Sequence, residues 1–175
     1  PRLVGTPFAV TAPAIALPIA QALVVEMGGE PFEIAEEDRG VYHAALNHGA
    51  NFLATVVAQS KQILSTVGIE DPGTFLRPLC EAALDRALRA GDRGVSGPIP
   101  RGDVGTIREH LSVLEIKAKE ENLAGEGQWA HRLEDARSTY AAMTLHTVDL
   151  LEFEGRISSQ VASEIRAAVR EMGEK

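Results

Sequence analysis

VYHAALNHGANFLATVVAQS, Val41 to Ser60, is a run of twenty residues without a formal charge inside a chain whose charged fraction is 24%. His43, Asn47 and Asn51 recur within it at steps of four, and at 100° per residue they fall within about 80° of one another on a helical wheel. Ala54, Ala58 and Lys61 continue that stripe, while Val41, Tyr42, Leu46, Phe52, Leu53, Val56, Val57 and Leu64 crowd the opposite arc. The period is helical, and it predicts one long helix from Asp38 to Val67 that stops at Gly68. A helix this poor in charge is expected to be covered on most sides, and its amides then need partners.

Helical patterns extend in both directions. Upstream, AIALPIAQALVVEMGG places Ile15, Ile19, Leu23 and Met27 at helical spacing and ends in Gly28 and Gly29, a C-cap signal. A short extended piece is expected at Phe32 to Ala35, and LVGTPFAVTA, Leu3 to Ala12, reads as a strand with nothing nearby to pair with. Downstream, Asp71 and Pro72 make an N-cap and N1 pair for an element running to Gly91, with Pro78 as a kink or a late start. Asp103 caps a helix from Val104 to Leu123. Gly125 to Gly127 separates it from Trp129 to Phe153, and a last helix, Ile157 to Met172, has alternating charges and weak apolar content. The fold class is mostly α, a bundle of five to six helices with a short strand at the N-terminus.

Composition narrows the function. Over 175 residues the chain is 45% hydrophobic, enough for one domain with a real core, and only 5% aromatic, which favours closely packed helices over a β-sandwich. A net charge of −8 with no basic face argues against nucleic acid. The uncharged run Val41 to Ser60 contains two His, two Asn and a Gln, too polar for a lipid-facing span, and a soluble cytoplasmic protein is expected. The single Cys80 excludes an internal disulfide and is read as a small buried hydrophobe. Metal-ligand spacings, a Walker sequence, GxSxG and GxGxxG are all missing, and no metal is expected.

Two places can carry chemistry. On the long helix, His43 offers an imidazole that moves protons near neutral pH, and Asn47 and Asn51 offer amides that hold a carbonyl or carboxylate. The same three residues also suit plain helix packing. In GVSGPIPRGDVGT, Gly94 to Thr106, Arg101 precedes the helix start at Asp103, whose side chain can cap Gly105 and Thr106; free amides beside an arginine suit a carboxylate or phosphate. Asp103 itself opposes an anion there, and a rigid connector with a surface arginine is the alternative. His110 lies four residues after Thr106 and can share its face, although a buried, hydrogen-bonded histidine is its simpler role. His131 and His146 are placed on exposed or packing faces.

GTPFAVTA, EEDRGVYHAALNHGANFLATV, RPLCEAALDRAL and GPIPRGDVGTIREHL together resemble the domain of unknown function that follows a Rossmann-like domain in a family of NAD(P)-dependent oxidoreductases. That helical domain is similar to the C-terminal domains of 6-phosphogluconate dehydrogenase and pyrroline-5-carboxylate reductase. The resemblance covers residues 3 to 150. It implies that residues 1–12 are the end of a Rossmann sheet and its exit, and that residues 13–175 form one substrate-binding and dimerising domain. It also implies that NAD(P) is held by a preceding domain and not by this chain alone, and that the partners are a second copy and a small acid substrate of the 2-oxo, imino or hydroxy class. His43 and Asn51 fit the family's pattern of a His in YHAA and an Asn eight residues on. Related dehydrogenases place a Lys with an Asn four residues later, which His43 and Asn47 match in spacing only. Under this reading His43 gives or takes the proton, Asn47 and Asn51 orient the substrate, and Arg101 binds its carboxylate. A non-catalytic dimerisation module, or a ligand-sensing domain, is the rival reading.

Overall fold

Pro7–Val10 forms the first strand, β1, and it has a partner. It pairs in parallel with β2, Glu30–Glu33, in a register running from Pro7 opposite Glu30 to Val10 opposite Glu33. This corrects the expectation of an unpaired strand and moves the extended piece two residues toward the N-terminus. Parallel strands need a crossover, and α1, Leu17–Glu26, supplies it. The two glycines after α1 make the return possible. Gly28 has φ +84°, where side chains are strained, and a Cβ on Gly29 would lie 2.6 Å from the Phe8 ring. Val10 and Val24 are the buried hydrophobic residues of this small βαβ unit, and the Thr11 hydroxyl donates to the Ile34 carbonyl at 2.7 Å.

The structure, a computed structural model, describes residues 3–173; residues 1 and 2 of the expected terminal strand and linker lie outside them. Six α-helices and the two strands make up the described regular structure, apart from short 3₁₀ turns. The chain divides between Leu53 and Ala54 into two compact units, a boundary that falls inside α2, Arg39–Thr66.

No residue of α2 is buried. The cover expected from its uncharged sequence is not supplied. Val41, Leu46 and Phe52 are all exposed, Phe52 by 54%. An uncharged stretch states what a helix needs against it, but the residues that meet the need must come from elsewhere in space. α3, Pro72–Ala90, is capped by Asp71, whose carboxylate accepts from the Thr74 amide at 3.3 Å, and Pro78 lies within the helix without ending it. Phe75, Leu79 and Leu88 on α3 are likewise exposed.

The core of the second unit is built by α4, Val104–Leu123, α5, Gly127–Phe153, and α6, Ser159–Gly173. Ile107 and Leu111 from α4 meet Val148 and Leu151 from α5, and Ala162, Ile165 and Val169 from α6 close over them. The last helix therefore contributes more than its sequence suggests. Its buried residues Ala162, Ile165 and Val169 fall at i, i+3 and i+7, on one face. Between α5 and α6 Arg166 bridges Asp149 at 2.5 Å and Glu152 at 2.7 Å.

The segment Gly94 to Thr106 is packed down. Val95, Ile99 and Val104 rest against the core, and Arg156 donates to the carbonyls of Asp92 and, at 3.1 Å, Val95. Gly102 ends a 3₁₀ turn with φ +66°, and a Cβ there would stand 3.2 Å from a Val161 methyl. A floppy linker is thereby excluded.

Replacing Ile165 by Ala should cost about 2–5 kcal/mol, as for other fully buried aliphatic side chains. Replacing the exposed Leu79 by Ala should change stability by less than about 0.5 kcal/mol. Urea denaturation followed by circular dichroism measures both.

Candidate functional site

The residues singled out by sequence fall into two groups, one in each unit. In the first, His43, Asn47 and Asn51 stand on successive turns of α2, with His43 and Asn51 exposed and Asn47 half-buried. The Asn51 amide donates to the Asn47 carbonyl oxygen, so the two side chains are held together along the helix. His48, off the stripe, packs edge-on against Phe52 with ring centroids 5.2 Å apart.

In the second unit, the start of α4 gathers Arg101, Asp103, Thr106 and His110. The Asp103 carboxylate accepts from the Thr106 amide at 3.0 Å and the Thr106 hydroxyl at 2.7 Å. Both Thr106 donors are thus committed to the cap. The amide of Gly105 and the exposed Arg101 guanidinium are what this corner can turn toward an anion. Those two bonds, together with Arg101 and His110 nearby, hold the Asp103 carboxyl below the ordinary carboxylate range.

His110 is exposed, not buried as its simpler reading required. The reason is its place on α4: Ile107 and Leu111 take the inward face, and His110 lies beside it, where α5 brings Tyr140. The Tyr140 hydroxyl and His110 Nδ1 are 2.8 Å apart, with the rings edge-to-face at a centroid distance of 5.6 Å. Burial pushes the Tyr140 phenol above its usual value, so it stays neutral. His131 and His146 are exposed, and Cys80 is only half-buried, so the reading of a buried thiol is corrected as well.

Sequence reasoning did not find Tyr140, Gln59 or Thr139. The Gln59 amide donates to the Thr139 hydroxyl at 3.0 Å across 80 positions, and His110 and Tyr140 are 30 apart. Neither pair shares a helix, so no periodicity could have shown it.

Residues 6–147 match the family described as a domain of unknown function, DUF2520. The chain belongs to this family. No curated protein and no solved structure matches the chain. The matched span contains both residue groups, from His43 to His110, and Tyr140 as well. Among the described residues, no helix is long and apolar enough to cross a membrane.

Because the Asp103 carboxyl is lowered in the folded state, its contribution to stability is full above the unfolded value of about 4 and is lost as pH falls through the lowered native value. Asp103→Asn should therefore lose less melting temperature than the parent chain between about pH 6 and pH 3, as thermal unfolding at the two pH values would show.

Proposed function

We propose that this chain is the substrate-binding and dimerising part of an NAD(P)-dependent oxidoreductase, acting on a small 2-oxo, imino or hydroxy acid in the cytoplasm. The observation that carries the reading is α2: a 28-residue helix with no buried residue, bearing one imidazole and two carboxamides on a single stripe and apolar side chains around it. Soluble proteins seldom leave such a surface without an occupant. In this reading a second copy covers the apolar part, and the stripe faces substrate.

The dinucleotide does not fit on the residues of this chain. The parallel βαβ unit has the right order of elements, but the turn between β1 and α1, Thr11 to Ala16, reads TAPAIA and lacks the glycines that let a backbone approach a pyrophosphate. The cofactor belongs to a preceding Rossmann domain. What the chain itself contributes is substrate handling. His43 gives or takes the proton that accompanies hydride transfer. Asn47 and Asn51, joined to each other, orient the substrate. Arg101, beside the Gly105 amide, binds a carboxylate, and Thr106 and His110 shape that corner.

A second reading has an observation of its own. Phe75, Leu79, Leu84 and Leu88 leave α3 exposed as well, far more apolar surface than a substrate needs. On that basis the domain is a helical assembly module in which the Asn pair and His43 only join helices.

In the chain joined to its dinucleotide-binding domain, His43→Ala should lower kcat by about a hundredfold or more, the usual worth of a positioned acid–base group, with the dimer intact in sedimentation. Arg101→Ala should raise KM for the acid. Unchanged turnover with loss of the dimer in His43→Ala would favour the assembly module instead.

A further inference from the structure

A cleft of about 140 Å³ opens in the second unit among α2, α4 and α5, and the chemistry proposed above leaves it unused. Ile63, Leu114, Ala136 and Met143 are among its apolar walls. The side chains lining it carry no formal charge, so a carboxylate or phosphate placed there would lose its hydration without an ionic partner. Hydrogen-bonding groups nonetheless reach it from two helices.

Each of those groups is fixed and keeps bonding capacity. Gln59 spends one amide hydrogen on the Thr139 hydroxyl, which ties α2 to α5 and leaves its carbonyl oxygen as acceptor. Ser60 donates to the Val56 carbonyl at 2.9 Å and retains its oxygen lone pairs. Tyr140 is held by His110 on the neighbouring helix and interacts with the Thr144 side chain, and a phenol, with one donor and two acceptor positions, keeps one position open. His110 is itself exposed, so the pair connects a lining residue of the cleft with bulk water. Burial keeps the phenol protonated, so it meets a ligand as a neutral group.

We propose that this cleft is a ligand site for an uncharged molecule of about six to eight non-hydrogen atoms, mainly hydrocarbon, with one hydroxyl or carbonyl oxygen bonded to Tyr140. The size follows from precedent, since an apolar cavity of about 150 Å³ admits benzene. One neutral tyrosine, one serine, one threonine and one carboxamide set among hydrocarbon suit a ligand with a single oxygen. Met143, exposed by 52%, is an adaptable side chain that can move for entry. The proposal rests on the second unit alone and stands independently of the oxidoreductase reading.

Phenol is the probe, titrated into the 175-residue chain while the methyl signals of Ile63, Leu114 and Met143 are followed by NMR. The expected result is a saturable shift of those methyls with Kd on the order of 1 mM, and benzoate weaker by about tenfold or more. Tyr140→Phe should weaken phenol by about threefold to tenfold, the worth of one hydrogen bond. Ser60→Leu, which extends a branched side chain from α2, should abolish the shifts and gives an independent reading if Tyr140→Phe does not fold. Shifts that do not saturate, equal affinity for benzoate, unchanged affinity in Tyr140→Phe, or full binding in Ser60→Leu would each overturn the site. Methyl shifts that follow protein concentration and not phenol would overturn it too, since they would show a second copy seated in the cleft.

Discussion

The junction of α4, α5 and α6 is the contact on which the second unit depends. Ile107, Leu111, Val148, Leu151 and Ile165 are essentially without solvent exposure, and burying each contributes about 1.5–3 kcal/mol. The candidate corner at the start of α4 is a by-product of that packing. With Ile107 and Leu111 turned inward, Thr106 and His110 take the adjacent flank of α4, where Asp103 can reach back to the helix start and Tyr140 can cross from α5. The segment before α4 is held by the same core, through Val95, Ile99 and the Arg156 bonds to its carbonyls. A weaker junction would loosen the loop, the cap and the His110–Tyr140 pair together.

This core does not end where the family match ends. The match stops at residue 147, yet Val148, Leu151, Ile157, Ala162, Ile165 and Val169 all come later. In sequence the last helix reads as alternating charges with weak apolar content. Four small or branched apolar positions on one face are enough once two other helices offer a groove. The ion pairs around it, such as Arg166 with Asp149 and Glu152, are partly exposed and fix its orientation more than they stabilise it.

α2 presents the opposite case. Its composition is that of an interior helix, and its environment in the single chain is that of a surface. Asn47 and Asn51 illustrate the outcome: on a helix with no buried residue, the Asn51 amide donates to the Asn47 carbonyl oxygen along the helix. The exposed apolar residues of α2 and α3 give the dimerising reading its physical basis, and the stripe of His43, Asn47 and Asn51 gives the catalytic reading its own.

Element identity and most element ends were legible in the chain because they rest on chemistry within one helical turn. Asp71 and Asp103 cap through residues three positions on, Gly28 and Gly29 stop α1, and the predicted Val104 to Leu123 helix is found with those bounds. Pairings were not legible. β1 against β2, His110 against Tyr140 and Gln59 against Thr139 join residues from 23 to 80 positions apart. A cap or a turn depends on a few neighbouring dihedral angles, so the residue types announce it. Which side chains meet across helices depends on how every apolar face in the unit finds its complement at once, and no local stretch contains that information.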